Sequence, residues 1–220
     1  MLKKIIIISL ILAATIGGAL NYKKTEKKIV KEQNQIQAQA ENLLEVNFIC
    51  QAPLQTQENW ELHEESCEEA ALLQAYLYEK NKSMTKSEAN TEVLKMINWQ
   101  IENKGKHEDL YSEKMINFAR EYYQLEKDEF QTIKNATIDD IKKIIDQGHP
   151  VIVPVLAKEL KNPYYPYPGY HMLVAIGYTK DHIITNDNGT RHGEKFSYKN
   201  EIFQKAMDAS TKEIYYLKFK

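Results

Sequence analysis

Thr137-Ile138-Asp139-Asp140-Ile141-Lys142-Lys143-Ile144-Ile145-Asp146-Gln147-Gly148-His149-Pro150-Val151-Ile152-Val153-Pro154-Val155 changes its period halfway. Up to Asp146 the apolar residues recur at helical spacing, with Thr137 and Asp140 three apart at the opening. Gly148 followed by His149-Pro150 ends the helix, as a glycine cap and a proline stop would. From Val151 the run is β-branched and short, which reads as a buried strand.

Helical signals continue on the N-terminal side of this switch. Thr85 and Glu88 form a capping pattern before Val93-Leu94-Lys95-Met96-Ile97. Ser66 and Glu69 repeat it before Ala70-Ala71-Leu72-Leu73-Gln74-Ala75-Tyr76-Leu77, a run apolar enough to be buried. A further helix is expected over 110–122. On the C-terminal side, Met172-Leu173-Val174-Ala175-Ile176 and His182-Ile183-Ile184-Thr185 flank a turn-sized stretch and read as a hairpin, with Ile214-Tyr215-Tyr216-Leu217 as a closing strand. Helices first and antiparallel strands after give an α+β domain.

The 220 residues carry a formal charge of -2, so no basic field points to nucleic acid. Met1-Leu2-Lys3-Lys4, an uncharged run from Ile5 to Leu20, and Lys23-Lys24 resemble an export signal or a membrane anchor. The run is about 16 residues, short of the ~20 that span a bilayer comfortably. We therefore expect a signal or anchor over 1–20, a polar tether over 21–45 and one folded domain over 46–220, outside the cytoplasm and monomeric. Ile29, Ile36 and Leu43 recur every seven residues, too few times for a coiled coil.

Two cysteines occur, Cys50 and Cys67. In an exported domain they could pair. If Ser66 caps the helix, Cys67 is its first residue, among unpaired N–H groups at the positive dipole end, which favours a thiolate. Glu64, Glu65, Glu68 and Glu69 oppose that and call for a cationic partner. Of six histidines, His171 opens the apolar strand Gly169-Tyr170-His171-Met172-Leu173-Val174. A hairpin turn centred on Thr179 sets His171 opposite Asp187, and a register shift of two keeps both on one face. Asp187 would then orient the imidazole, unless it serves only the turn Asn186-Asp187-Asn188-Gly189. Zinc held by His63, Cys67 and His171 is a rival reading, without spacing support at His63.

Phe48-Ile49-Cys50-Gln51-Ala52-Pro53, Trp60, Cys67-Glu68-Glu69-Ala70-Ala71, Gly148-His149-Pro150-Val151-Ile152, Gly169-Tyr170-His171-Met172-Leu173-Val174 and Ile184-Thr185-Asn186-Asp187-Asn188-Gly189-Thr190 occur in an order that resembles the bacteriocin-processing-type cysteine peptidases and their "-like" branch. The resemblance covers roughly residues 46–218. It implies a papain-like fold with an N-terminal helical half and a C-terminal antiparallel sheet. It further implies Cys67 as nucleophile, His171 as base, Asp187 as orienting acid and Gln51 as oxyanion donor, without a cofactor. Gln55 and Gln57 are rivals of Gln51. The family usually has proline after the acid, where this chain has Asn188, so turn rigidity is lost. Transporter segments and a phosphate loop are missing, so cleavage of double-glycine leaders is not carried over.

Trp60, Tyr165, Tyr167 and Tyr170 are candidates for the wall of a substrate groove, since tyrosines offer rigid amphipathic area. Cys50 beside Gln51 is placed to approach Cys67, and a disulfide there would silence the enzyme. Three activities fit: hydrolysis of peptide bonds, amide hydrolysis or acyl transfer on cell-wall peptides, and a surface binding module without catalysis.

Overall fold

In a computed structural model of the chain, residues 22–54, 60–164 and 169–219 are described, with Trp60 described by its backbone alone. The apolar segment expected to act as signal or anchor, and the candidates Gln55, Gln57, Tyr165 and Tyr167, lie outside them. No helix among the described residues is long and apolar enough to cross a membrane.

The chain divides into two compact units, 1–39 and 40–220. The described part of the first is a helix, α1, over 22–37. The second contains β1 (Asn42–Leu43), α2 (Trp60–His63), α3 (Cys67–Glu79), α4 (Lys86–Lys104), α5 (Glu113–Tyr123), β2 (Phe130–Lys134), α6 (Ile138–Asp146), β3 (Val151–Leu156), α7 (Ala157–Leu160), β4 (Tyr170–Tyr178), β5 (His182–Asn186), β6 (Phe196–Lys199), α8 (Asn200–Asp208) and β7 (Glu213–Leu217). The strands form one antiparallel sheet in the order β2-β7-β3-β4-β5-β6, with β1 added to β4. The α+β architecture, helices first and sheet after, is as the sequence implies.

α3 is buried almost all round, from Cys67 to Ala75 and again at Leu77. Such a helix belongs to the centre of a domain. It packs on β4 and beside α4, whose inward residues Ala89, Val93, Met96, Ile97 and Gln100 recur at helical spacing. The capping pairs Thr85–Glu88 and Thr137–Asp140 both form as reciprocal boxes, and Gly148 follows α6 at φ 90. Pro154 is paired with Met172 of β4 and stands two residues past Ile152, where β3 meets β7.

The pattern at Ser66 and Glu69 forms no box. Ser66 Oγ turns back to donate to Leu62 O at 3.3 Å and makes no cap. Glu69 points inward, accepting from Gln100 Nε2 and His107 Nε2. A polar partner inside the fold outcompetes the local N–H that the sequence offered.

The hairpin of β4 and β5 is present with a bulge. Val174 faces Asn186 and Ala175 faces Thr185, then the register slips between Ala175 and Gly177. At the slip β1 also pairs with β4, so closely that a Cβ on Gly177 would lie 2.7 Å from Asn42 O.

Candidate active site

α3 and β4 bring the expected residues to one place. The first residue of α3, Cys67, is buried, and its sulfur lies within hydrogen-bonding influence of the Met172 amide, the residue after His171. His171 is buried at the start of β4 and its Nε2 meets Asp187 Oδ1 at 2.9 Å. A carboxylate only accepts, so Nε2 is the donor here, and in the neutral imidazole the lone pair falls on Nδ1. Asp187 follows β5, and the extension of the observed β4–β5 register sets it diagonally across from His171, with Gly189 opposite. A Cβ on Gly189 would meet His171 Cε1 at 3.0 Å, so the turn lies flat against the imidazole.

Asp187 is fixed from several directions. Oδ1 also accepts the Gly189 amide at 3.2 Å, while Oδ2 accepts from Asn162 Nδ2 at 3.1 Å and from Tyr198 Oη. Asn162 in turn donates to Tyr198 Oη at 2.6 Å. Neither anchor stands out in the sequence, although the alternation Phe196-Ser197-Tyr198-Lys199 is a strand signal.

Gln51 Nε2 donates to His63 O at 3.0 Å and Glu64 O at 3.1 Å, which engages both amide hydrogens with the turn that leads into α3. Its backbone N–H donates to Asn188 O at 2.9 Å, and Asn188 Nδ2 donates to Cys67 O at 2.8 Å. The rigidity that proline would have given this turn is thus replaced in part by the side-chain bond to Cys67 O, which proline could not make.

Tyr170 is directed inward. Its hydroxyl donates to Leu110 O at 2.9 Å, its ring meets Tyr111 edge-on at 5.5 Å, and burial followed by the nearby Glu68 holds its phenol protonated well above the ordinary range. Both cysteines are free thiols. Cys50 lines a cleft of about 780 Å³ with Phe48, Pro53, Met84, Lys86 and Arg191, and burial pushes its thiol up. Among the described residues no three His, Cys, Asp or Glu side chains converge as a metal ion would need.

The thiolate expected from the helix dipole is not what surrounds Cys67. Sγ donates to Glu68 Oε2 at 3.0 Å. Burial first, and then the Glu68 carboxyl, push the thiol well above its ordinary value, against a smaller opposing contribution from the Met172 amide. Full desolvation outweighs the partial charge of a helix end. Glu68 and Glu69 are completely buried, and burial together with Glu69 raises Glu68 well above the usual carboxylate range.

Beside them Glu65 shares a hydrogen bond with Asp109, which with partial burial pushes it up to about 7 from 4.5. The folded chain therefore keeps a proton that the unfolded chain releases above 4.5. That contribution to stability is complete below 4.5 and is lost as pH rises through 7. His63, lowered by burial, acts with the opposite sign. The comparison must therefore be with Glu65→Gln: the wild-type melting temperature minus that of the variant should fall between pH 5 and pH 8, measured by thermal denaturation. A constant difference would remove Glu65 from this account.

Comparison with known proteins bears on the family and the fold. No curated protein matches the chain. The crystal structure of a Bacillus anthracis protein assigned as a C39-like peptidase superposes with a TM-score of 0.56 at 16% identity, covering 82% of this chain and 99% of that one. The model of the Peptidase_C39 like family matches residues 49–216, from just before Gln51 into the last strand, and the chain belongs to that family.

Proposed function

We propose that the chain is a cysteine peptidase that hydrolyses peptide bonds with Cys67 as nucleophile, His171 as base and Asp187 as the acid that orients it. The observation that carries this reading is the bond from His171 Nε2 to Asp187 Oδ1, made one residue from the amide that approaches the Cys67 sulfur. Family membership favours the same chemistry.

Because the thiol is held protonated, attack and proton transfer belong to one step. The S–H bond breaks, Sγ bonds to the substrate carbonyl carbon, and the proton passes to His171 Nδ1. Charge moves onto the carbonyl oxygen. The imidazolium, stabilised by Asp187, then protonates the leaving amine and the C–N bond breaks. Water, deprotonated by His171, hydrolyses the thioester. Gln51 is the oxyanion donor in this scheme, and one of its two resting bonds to carbonyls must release for it to act; such a donor contributes about 3 kcal/mol to the transition state. The proposal includes delivery outside the cytoplasm, secreted or membrane-anchored, on the strength of the basic, apolar and again basic order of residues 1–24.

The test is profiling of wild type and Cys67→Ala against a mixed library of peptides and cell-wall peptides. Cleavage by wild type that disappears in Cys67→Ala is expected. Cleavage retained by Cys67→Ala, or none by a folded wild type on any peptide, would remove the proposal.

A further inference from the structure

Glu68 stands in the first turn of α3, where an acidic side chain ordinarily turns to water and to the helix dipole. Here it is wholly buried. Oε1 accepts the Leu110 amide at 2.5 Å, from the segment before α5, and Oε2 accepts from Cys67 Sγ at 3.0 Å. One oxygen is thus clamped by backbone forty-two residues away while the other rests on sulfur. Glu69, equally buried, turns instead to Gln100 and His107. Two adjacent carboxyls therefore have separate assignments, and one of them addresses the nucleophile.

We propose that Glu68 is a positioning residue for the reaction: its carboxyl accepts the Cys67 S–H at rest, stores the nucleophile as a thiol and orients it until substrate is bound. The inference rests on Cys67 being the nucleophile. Its chemistry is that of a hydrogen bond with a fixed direction. The Cys67 S–H and the Leu110 amide favour the ionised Glu68 that accepts from both, and beside that carboxylate S⁻ would be a second anion in a dry site without compensating solvent. When substrate is bound, the proton leaves the S–H···O contact for His171 as the S–C bond forms, and Glu68 returns to its single bond from Leu110. Free thiol chemistry is thereby suppressed without loss of the nucleophile, since the sulfur is neither oxidised nor alkylated readily as a thiol. Tyr170, whose hydroxyl is bonded to the carbonyl of the same Leu110, closes the other side of the clamp.

Glutamine at this position is a nearly isosteric reversal. Its Oε1 keeps the Leu110 amide, while its Nε2 donates to sulfur and favours S⁻. The experiment uses the full chain with Cys50→Ser, so that Cys67 is the remaining thiol, and follows iodoacetamide alkylation against pH. The parent should show a midpoint above the ~8.5 of an ordinary thiol. Glu68→Gln should lower it by one unit or more. At pH 7 each unit raises the thiolate fraction tenfold and lowers intrinsic nucleophilicity about threefold, so alkylation should speed up about threefold per unit. Glu69→Gln, in which the neighbouring carboxyl is removed, should move the midpoint much less. A merely structural Glu68 would change rates at every pH and leave the midpoint in place.

A parent midpoint below 8, no shift in Glu68→Gln, or equal shifts in the two glutamine variants would overturn the proposal. Should Glu68→Gln fail to fold by circular dichroism, the parent midpoint decides alone. None of these readings uses a substrate. A chain that cleaves nothing but shows the shift loses the peptidase reading and keeps only the coupling of the Cys67 thiol to Glu68, without a reaction for it to serve. A chain that cleaves through Cys67 with an unmoved midpoint does the reverse.

Discussion

Asp187→Asn is expected to lower kcat/KM about 10³- to 10⁴-fold with little change in KM, the scale seen when a triad acid loses its charge. The cause is a choice between two wrong arrangements. Asp187 Oδ1 accepts from His171 Nε2 and the Gly189 amide, and Oδ2 accepts from Asn162 Nδ2 and Tyr198 Oη. An asparagine that keeps its oxygen toward His171 sets its NH₂ against the Asn162 NH₂, two donors without an acceptor in a buried site, at about 1–3 kcal/mol. Turned the other way, its NH₂ faces His171 Nε2 and forces the proton onto Nδ1. The lone pair that should take the Cys67 proton is then gone. In both arrangements the imidazolium lacks its counter-charge. Steady-state kinetics on a substrate identified by library profiling measure the loss. A fall of less than tenfold would mean that Asp187 serves the turn and not the base.

Gly193→Ala is expected to destabilise the chain by about 4 kcal/mol or more, at the far end of single-substitution effects. A Cβ at this position would lie 1.8 Å from Asp187 O and 2.7 Å from Asp187 C, a distance at which backbone cannot yield by a side-chain rotation. The approach is close because the two residues are joined: the Asp187 amide donates to Gly193 O at 2.9 Å, and the Phe196 amide reaches the same carbonyl at 3.3 Å. Accommodating a methyl group means parting this junction, which moves Asp187 away from His171. Urea denaturation should show the lowered midpoint. Where the variant still folds, its activity should fall as far as that of Asp187→Asn. An unchanged midpoint would show that the loop relaxes freely, and would argue against a rigid acid.

How much of this could be read from the sequence depends on how local each cause is. The capping boxes at Thr85 and Thr137, the stop at Gly148 and the apolar strands are written within a few residues of where they act, and they are present. A regular hairpin about Thr179 pairs His171 with Asp187, with opposed residues summing to 358. The turn is centred later, so the pairs beside it (Gly177 with Ile184, Tyr178 with Ile183) sum to 361, and the bulge beside Gly177 brings those near the site to 360, an even step from 358. The face was preserved, so the two residues still meet. β2 and β6 went unseen because Phe130-Gln131-Thr132-Ile133-Lys134 is half polar and Phe196-Ser197-Tyr198-Lys199 is only four residues long. The carboxyl floor beneath Cys67 was beyond reach for a different reason. Glutamates in a first turn read as solvated, and what draws Glu68 and Glu69 inward lies at Leu110, Gln100 and His107, more than thirty residues on.

Asn188 bonds through its side chain to the carbonyl of Cys67 and through its own carbonyl to the amide of Gln51, while standing next to Asp187 in the chain. Three stretches that the sequence keeps far apart therefore share one spacer. Thermal drift of α3 drags the acid's loop and the glutamine's loop with it, so the separations that matter to the reaction are insulated from the breathing of the two halves around them.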